Sequence, residues 1–102
     1  MAFLYITEYA APAYIGGLLP VGAEPHITTQ VIAIGASSAQ SAAFANNTSF
    51  VRLHSDAVCS VLFGTNPTSI AATSPRMAAN QTEYFSVPVG AGYKVANIAT
   101  TP

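Results

Sequence analysis

The chain has 102 residues, and its charge is carried by Arg52, Arg76 and Lys94 against Glu8, Glu24, Asp56 and Glu83, so 7% of it is charged and the net charge is −1; soluble domains usually carry about 25%. Three scattered cations exclude an electrostatic footprint for nucleic acid and a polybasic face for anionic lipid, and the lone Cys59 excludes an internal disulfide. At this length the chain forms one domain, and so few charges cannot easily keep a free monomer apart from its neighbours.

The predicted elements are strand after strand. Residues 1–26 are expected to form an extended N-terminal arm or loop that begins with a short strand at Phe3–Thr7. Three prolines and three glycines between residues 12 and 25 block both helix and central strand there. The segment is nevertheless apolar, unlike a disordered tail. Tyr9, Tyr14, Ile15, Leu18 and Leu19 are therefore the candidate partner interface, with folding back over the chain's own body as the equal alternative.

Residues 27–102 are expected to form the β-sandwich domain. Ile27–Ile34, Phe50–His54, Ala57–Phe63, Glu83–Val89 and Tyr93–Ile98 are β-branched or aromatic, and turn residues separate them. Ala36–Ala45 lacks an apolar stripe and is expected to be a loop. A hairpin with the odd loop Ser55-Asp56-Ala57 would pair Leu53 with Cys59, placing Val51, Leu53, Cys59, Val61 and Phe63 on one apolar face. A second hairpin turn is expected at Gly90-Ala91-Gly92. Several short strands at this spacing give an all-β fold, a small antiparallel sandwich or jelly-roll-like domain.

Two uncharged stretches fail as membrane spans. Asn66-Pro67-Thr68-Ser69 interrupts residues 57–75, and Tyr9–Ala23 is too short and broken by proline and glycine. No Lys or Arg precedes Arg52, so the basic segment that opens a signal peptide is not seen, and folding in a reducing cytoplasm is expected.

Catalytic chemistry finds little to use. His54, Asp56 and Cys59 are metal-ligand types, but zinc sites repeat such residues at paired spacings, and no second pair occurs. Val58 and Val61 beside Cys59 point to an inert core thiol rather than a nucleophile. There is no Gly-x-Ser-x-Gly elbow, no spacing that suggests a glycosidase pair, and no glycine loop opening a helix. Asn46-Asn47-Thr48-Ser49 and Asn80-Gln81-Thr82 match glycosylation acceptors but mark only polar loops. No enzyme, cofactor or metal is expected.

The string Phe50-Val51-Arg52-Leu53-His54-Ser55-Asp56-Ala57-Val58-Cys59-Ser60-Val61-Leu62-Phe63-Gly64 is followed by Asn66-Pro67-Thr68, Arg76-Met77-Ala78-Ala79, Thr82–Val87 and Gly92-Tyr93-Lys94-Val95-Ala96. This pattern resembles small structural proteins of tailed bacteriophages, particularly the capsid cement or decoration type. The likeness covers about the last half of the chain, with a weaker echo at Tyr5–Tyr9, and transfers no catalytic motif. It implies a β-sandwich or jelly roll that binds the outside of a virion shell and tightens it, with the major capsid protein as partner; a homo-oligomer that binds neither nucleic acid nor membrane is expected. The sparse charge leads separately to a subunit of an assembly. Two other classes stay open: a head-completion or tail subunit, which shares the composition, and a carbohydrate-binding module, which uses the same β-sandwich and would stack Tyr84, Tyr93 or Tyr14 on sugar.

Overall fold

The computed structural model describes residues 2–14 and 18–100; of residues 13, 14 and 18–21 the backbone alone enters the description. Ten strands and no helix make up the described residues: β1 Ala2–Tyr9, β2 Pro12–Tyr14, β3 Leu18–Gly22, β4 Thr28–Ile34, β5 Ala39–Gln40, β6 Phe50–Ser55, β7 Cys59–Gly64, β8 Arg76–Met77, β9 Thr82–Ser86 and β10 Lys94–Ala99. They form two antiparallel four-stranded sheets, ordered β4-β1-β6-β9 and β5-β10-β7-β8, and the separate hairpin β2-β3.

Period-two alternation sends one set of side chains from each sheet inward. Leu4, Ile6, Val51 and Leu53 of the first sheet meet Cys59, Val61, Met77 and Val95 of the second, all at most 2% exposed. The all-β sandwich expected from the strand pattern is what this packing forms. Asn97 shares the inward parity of Val95, and neither polar atom of its buried amide has a hydrogen-bond partner among the described residues.

The two expected hairpins do not form. β6 pairs with β1 and β9, while β7 pairs with β10 and β8. Residues 56–58 thus carry the chain from one sheet to the other. Val51, Leu53, Cys59, Val61 and Phe63 do share the core, but from opposite walls of the sandwich instead of as cross-strand neighbours. Asp56 fixes the corner: its N–H donates to the Phe3 carbonyl at 3.1 Å, and its carboxylate accepts from the Phe3 N–H at 3.2 Å. The glycine segment likewise links different sheets, β9 to β10, with Gly90 and Gly92 at φ 69° and 70°, a conformation that favours glycine.

β1 is an interior strand of the first sheet, between β4 and β6. The sandwich therefore includes Ala2–Tyr9 as well as most of residues 27–102. Residues 12–22 form their own hairpin, and its β3 lies against β6. Gly22 approaches Tyr9 so closely that a Cβ there would enter the tyrosine ring.

A buried carboxylate organises one end. Glu8 is 1% exposed; its Oε1 accepts from the Ala45 N–H and the Thr48 hydroxyl, each at 2.8 Å, and its Oε2 accepts from the Gln30 amide at 2.9 Å. Gln30 in turn accepts from the Ala42 N–H and donates to the Ala42 carbonyl. This chain of bonds satisfies the buried charge and fastens residues 42–48 beneath the first sheet.

Candidate interaction face

The outward-facing sides of the two sheets differ. On the second sheet, residues 67–75 fold over β7. The Ser69 hydroxyl donates to the Ser60 carbonyl at 2.7 Å, Ser60 donates to the Ala71 carbonyl, and Gln40 donates to the Pro67 carbonyl. Ser60 and Ala96 are consequently buried although their parity is opposite to the core.

On the first sheet the outer side is made by Phe3, Tyr5, Thr7 and Tyr9 of β1, Thr29, Val31 and Ala33 of β4, Phe50, Arg52 and His54 of β6, and Thr82, Tyr84 and Ser86 of β9. One end of it, around Tyr9 and Phe50, is buried where the hairpin and the Glu24 turn lie. The Tyr9 hydroxyl donates to Glu24 Oε2 at 3.1 Å, and the Glu24 carboxylate also bonds the N–H and ring of His26. The His26 bonds hold the Glu24 carboxyl below its ordinary range; burial, reinforced by Glu24, pushes the Tyr9 phenol up.

The remainder of that face carries no covering segment among the described residues. Tyr5 is 39% exposed and Val31 53%, and the two are cross-strand partners. Tyr5 also touches the Phe3 ring edge-on and lies 6.3 Å from the His54 ring, which hydrogen-bonds Thr82. Tyr84 stacks on Phe50 at 5.6 Å. The result is a semi-rigid aromatic surface with one cationic side chain, Arg52, and a histidine. Such a surface suits a protein partner, because aromatic rings bury much area at little entropic cost.

Of the interface residues expected from sequence, Tyr9 is 5% exposed and spends its surface on its own chain. Ile15 and the side chains of Tyr14, Leu18 and Leu19 lie outside the described residues. Tyr5 and Val31 were not singled out by sequence, although alternation through Phe3-Leu4-Tyr5-Ile6 puts aromatic residues opposite the core and was a usable signal. The candidate sugar-stacking tyrosines do not converge: Tyr84 is on the outer face, whereas Tyr93 packs against the core.

The metal-ligand types are also dispersed. His54 faces outward, Cys59 is fully buried and Asp56 is engaged with Phe3, and no group of three His, Cys, Asp or Glu among the described residues could hold an ion. A depression of about 570 Å³ between residues 71–76 and the end of β10 is lined by Ala71, Ala72, Ser74, Arg76, Ala99 and Thr100, which offer no acid–base pair. The chain matches no protein-family model, no curated protein and no solved structure.

Proposed function

We propose that the chain is a non-catalytic structural subunit that docks the outer face of its first sheet onto the exterior of a tailed-phage capsid and tightens the shell. The observation that carries this is the uncovered Tyr5–Val31 surface, on a chain with only 7% charged residues. Both features suit a molecule that works while covered by other protein. The sequence pattern of the second half supports the capsid as the partner.

The mechanism is mechanical. Packed DNA pressurises a phage head, and the shell is weakest where capsid subunits meet. A stable interface buries about 800 Å² on each partner. A subunit that binds the intact shell stabilises it by mass action, and repetition over many junctions multiplies a modest affinity per copy.

The test is co-sedimentation of the purified protein with undecorated capsids, using wild type and Tyr5→Asp. Tyr5 is half exposed and its side chain points away from the core, so the variant retains the wild-type melt. Binding is expected to fall by about tenfold or more, since a desolvated carboxylate replaces an apolar contact. Undiminished binding by Tyr5→Asp, or no binding by wild type, contradicts the proposal.

A further inference from the structure

We infer that the free edge of β4 is a self-complementary interface through which two copies of this chain join their first sheets into one eight-stranded sheet. The direction of the backbone groups comes from β1. The Phe3 and Tyr9 carbonyls accept from Asp56 and Ser49, on the β6 side, while the Glu8 carbonyl accepts from Ile27, on the β4 side. Even-numbered β1 residues therefore exchange bonds with β4, in the register Leu4↔Ile32 and Ile6↔Gln30. Antiparallel alternation then turns the N–H and C=O groups of Thr29, Val31 and Ala33 away from β1. The Gly35 carbonyl continues that outward series and is taken by the Ala99 N–H. Thr29, Val31 and Ala33 have exposed side chains, and no loop or strand among the described residues bonds their backbone.

This edge lacks the usual protection. Thr28–Ile34 reads TTQVIAI, seven residues without charge, proline or glycine. Edge strands are ordinarily kept short, charged or covered, because an open one templates pairing with another chain. The other three edges of the two four-stranded sheets follow that practice: β5 and β8 have two residues each, β8 contains Arg76, and the five-residue β9 contains Glu83. β4 is the exception.

The occupant that fits is a second copy. A two-fold axis at Val31 places Val31 opposite Val31 of the other copy and Thr29 opposite Ala33, so every outward-turned residue meets another outward-turned residue. That register allows six backbone hydrogen bonds, two at each of the three pairs. An uncharged strand brings no like-charge repulsion to its own image. On the outer face the Tyr5–Val31 pair of each copy becomes one continuous apolar row of four residues, which adds cross-strand packing to the hydrogen bonds.

Sedimentation equilibrium and backbone-amide exchange on the isolated protein test this without any capsid. A dimer is expected at about 100 μM, with slow exchange at Thr29, Val31 and Ala33. Val31→Pro removes an N–H that makes no bond within the chain, so the sheet is kept while dimerisation weakens by about thirty-fold, two hydrogen bonds being lost per dimer. Ala33→Lys supplies a second variant, a charge on the same edge with the backbone intact, and should also give monomers. A wild-type monomer with fast exchange at those three amides overturns the inference, as does a dimer that both variants leave intact. Because no capsid is present, either result leaves the docking proposal standing, and sedimentation of Tyr5→Asp in the same assay separates its loss of capsid binding from any weakening of the edge pairing.

Discussion

At Cys59 burial decides the chemistry. The side chain is fully buried in the core, and desolvation pushes its thiol above the ordinary value of 9.0. The folded state therefore keeps a proton that the unfolded chain releases as pH rises past about 9. Fewer protons bound in the unfolded state means that stability falls with increasing pH in that range. Cys59→Ala should flatten this alkaline slope, cost about 1 kcal/mol at neutral pH, and leave function unchanged. Urea melts at a series of pH values check the slope, and rapid thiol labelling of the native protein would place Cys59 outside the core. Asn97 gives the opposite case. Its amide is buried without partners among the described residues, so Asn97→Val, which suits a strand, should raise stability by about 1–2 kcal/mol in the same melts. Glu8 is a third kind of buried polar group, with three donors satisfied by one carboxylate. Glu8→Ala leaves those donors orphaned and should cost about 3–5 kcal/mol. Glu8→Gln should cost less, about 1–3 kcal/mol, because its amide nitrogen meets the donating amide of Gln30 while its oxygen still accepts from residues 45 and 48.

Among the elements, the hairpin β2-β3 lies against β6 and meets the sandwich in a close approach at Gly22. Gly22 sits against the Tyr9 ring, and Tyr9 is itself held by Glu24. Gly22→Ala is expected to push the hairpin off the sandwich while the two sheets persist. Limited proteolysis should then cut within residues 12–22 much faster, with only a small drop in melting temperature. Equal loss of hairpin and sheets would make the hairpin part of the folding core. The strands themselves were legible in the sequence: Ile27–Ile34 and Phe50–His54 are β4 and β6 within a residue at each end, because β-branched runs bounded by turn residues have few other solutions. Which strands pair was not legible. The parity of Ser55-Asp56-Ala57 correctly groups Leu53 with Cys59 in the core, but a two-layer core accepts that grouping from one sheet or from two facing ones. Asp56 bonding back to Phe3 settles it, and a contact across 53 positions has no local signature. Glu8 was unremarkable as a strand-end acid for the same reason, since its partners lie 22 to 40 residues away.

For the whole molecule, the two sheets divide the labour. Residues 67–75 fold over part of the second around Ser60 and leave Leu62 and Ile70 exposed, and the first presents an aromatic surface flanked by an open, uncharged edge. A 102-residue chain with seven charges leaves that surface with little electrostatic protection in water. The proposed docking and the proposed edge pairing use different parts of the same sheet, so the two are compatible in a dimer lying flat on a shell with both outer faces engaged. The measurement that bears most directly on docking is a cryo-EM map of phage particles assembled with this chain. The expected map shows the sandwich on the exterior of the capsid, at junctions between major-capsid subunits, with Tyr5 and Val31 turned toward the shell and residues 67–75 toward solvent. Density confined to the tail or the portal vertex, no density at all, or a subunit seated by its second sheet would contradict it.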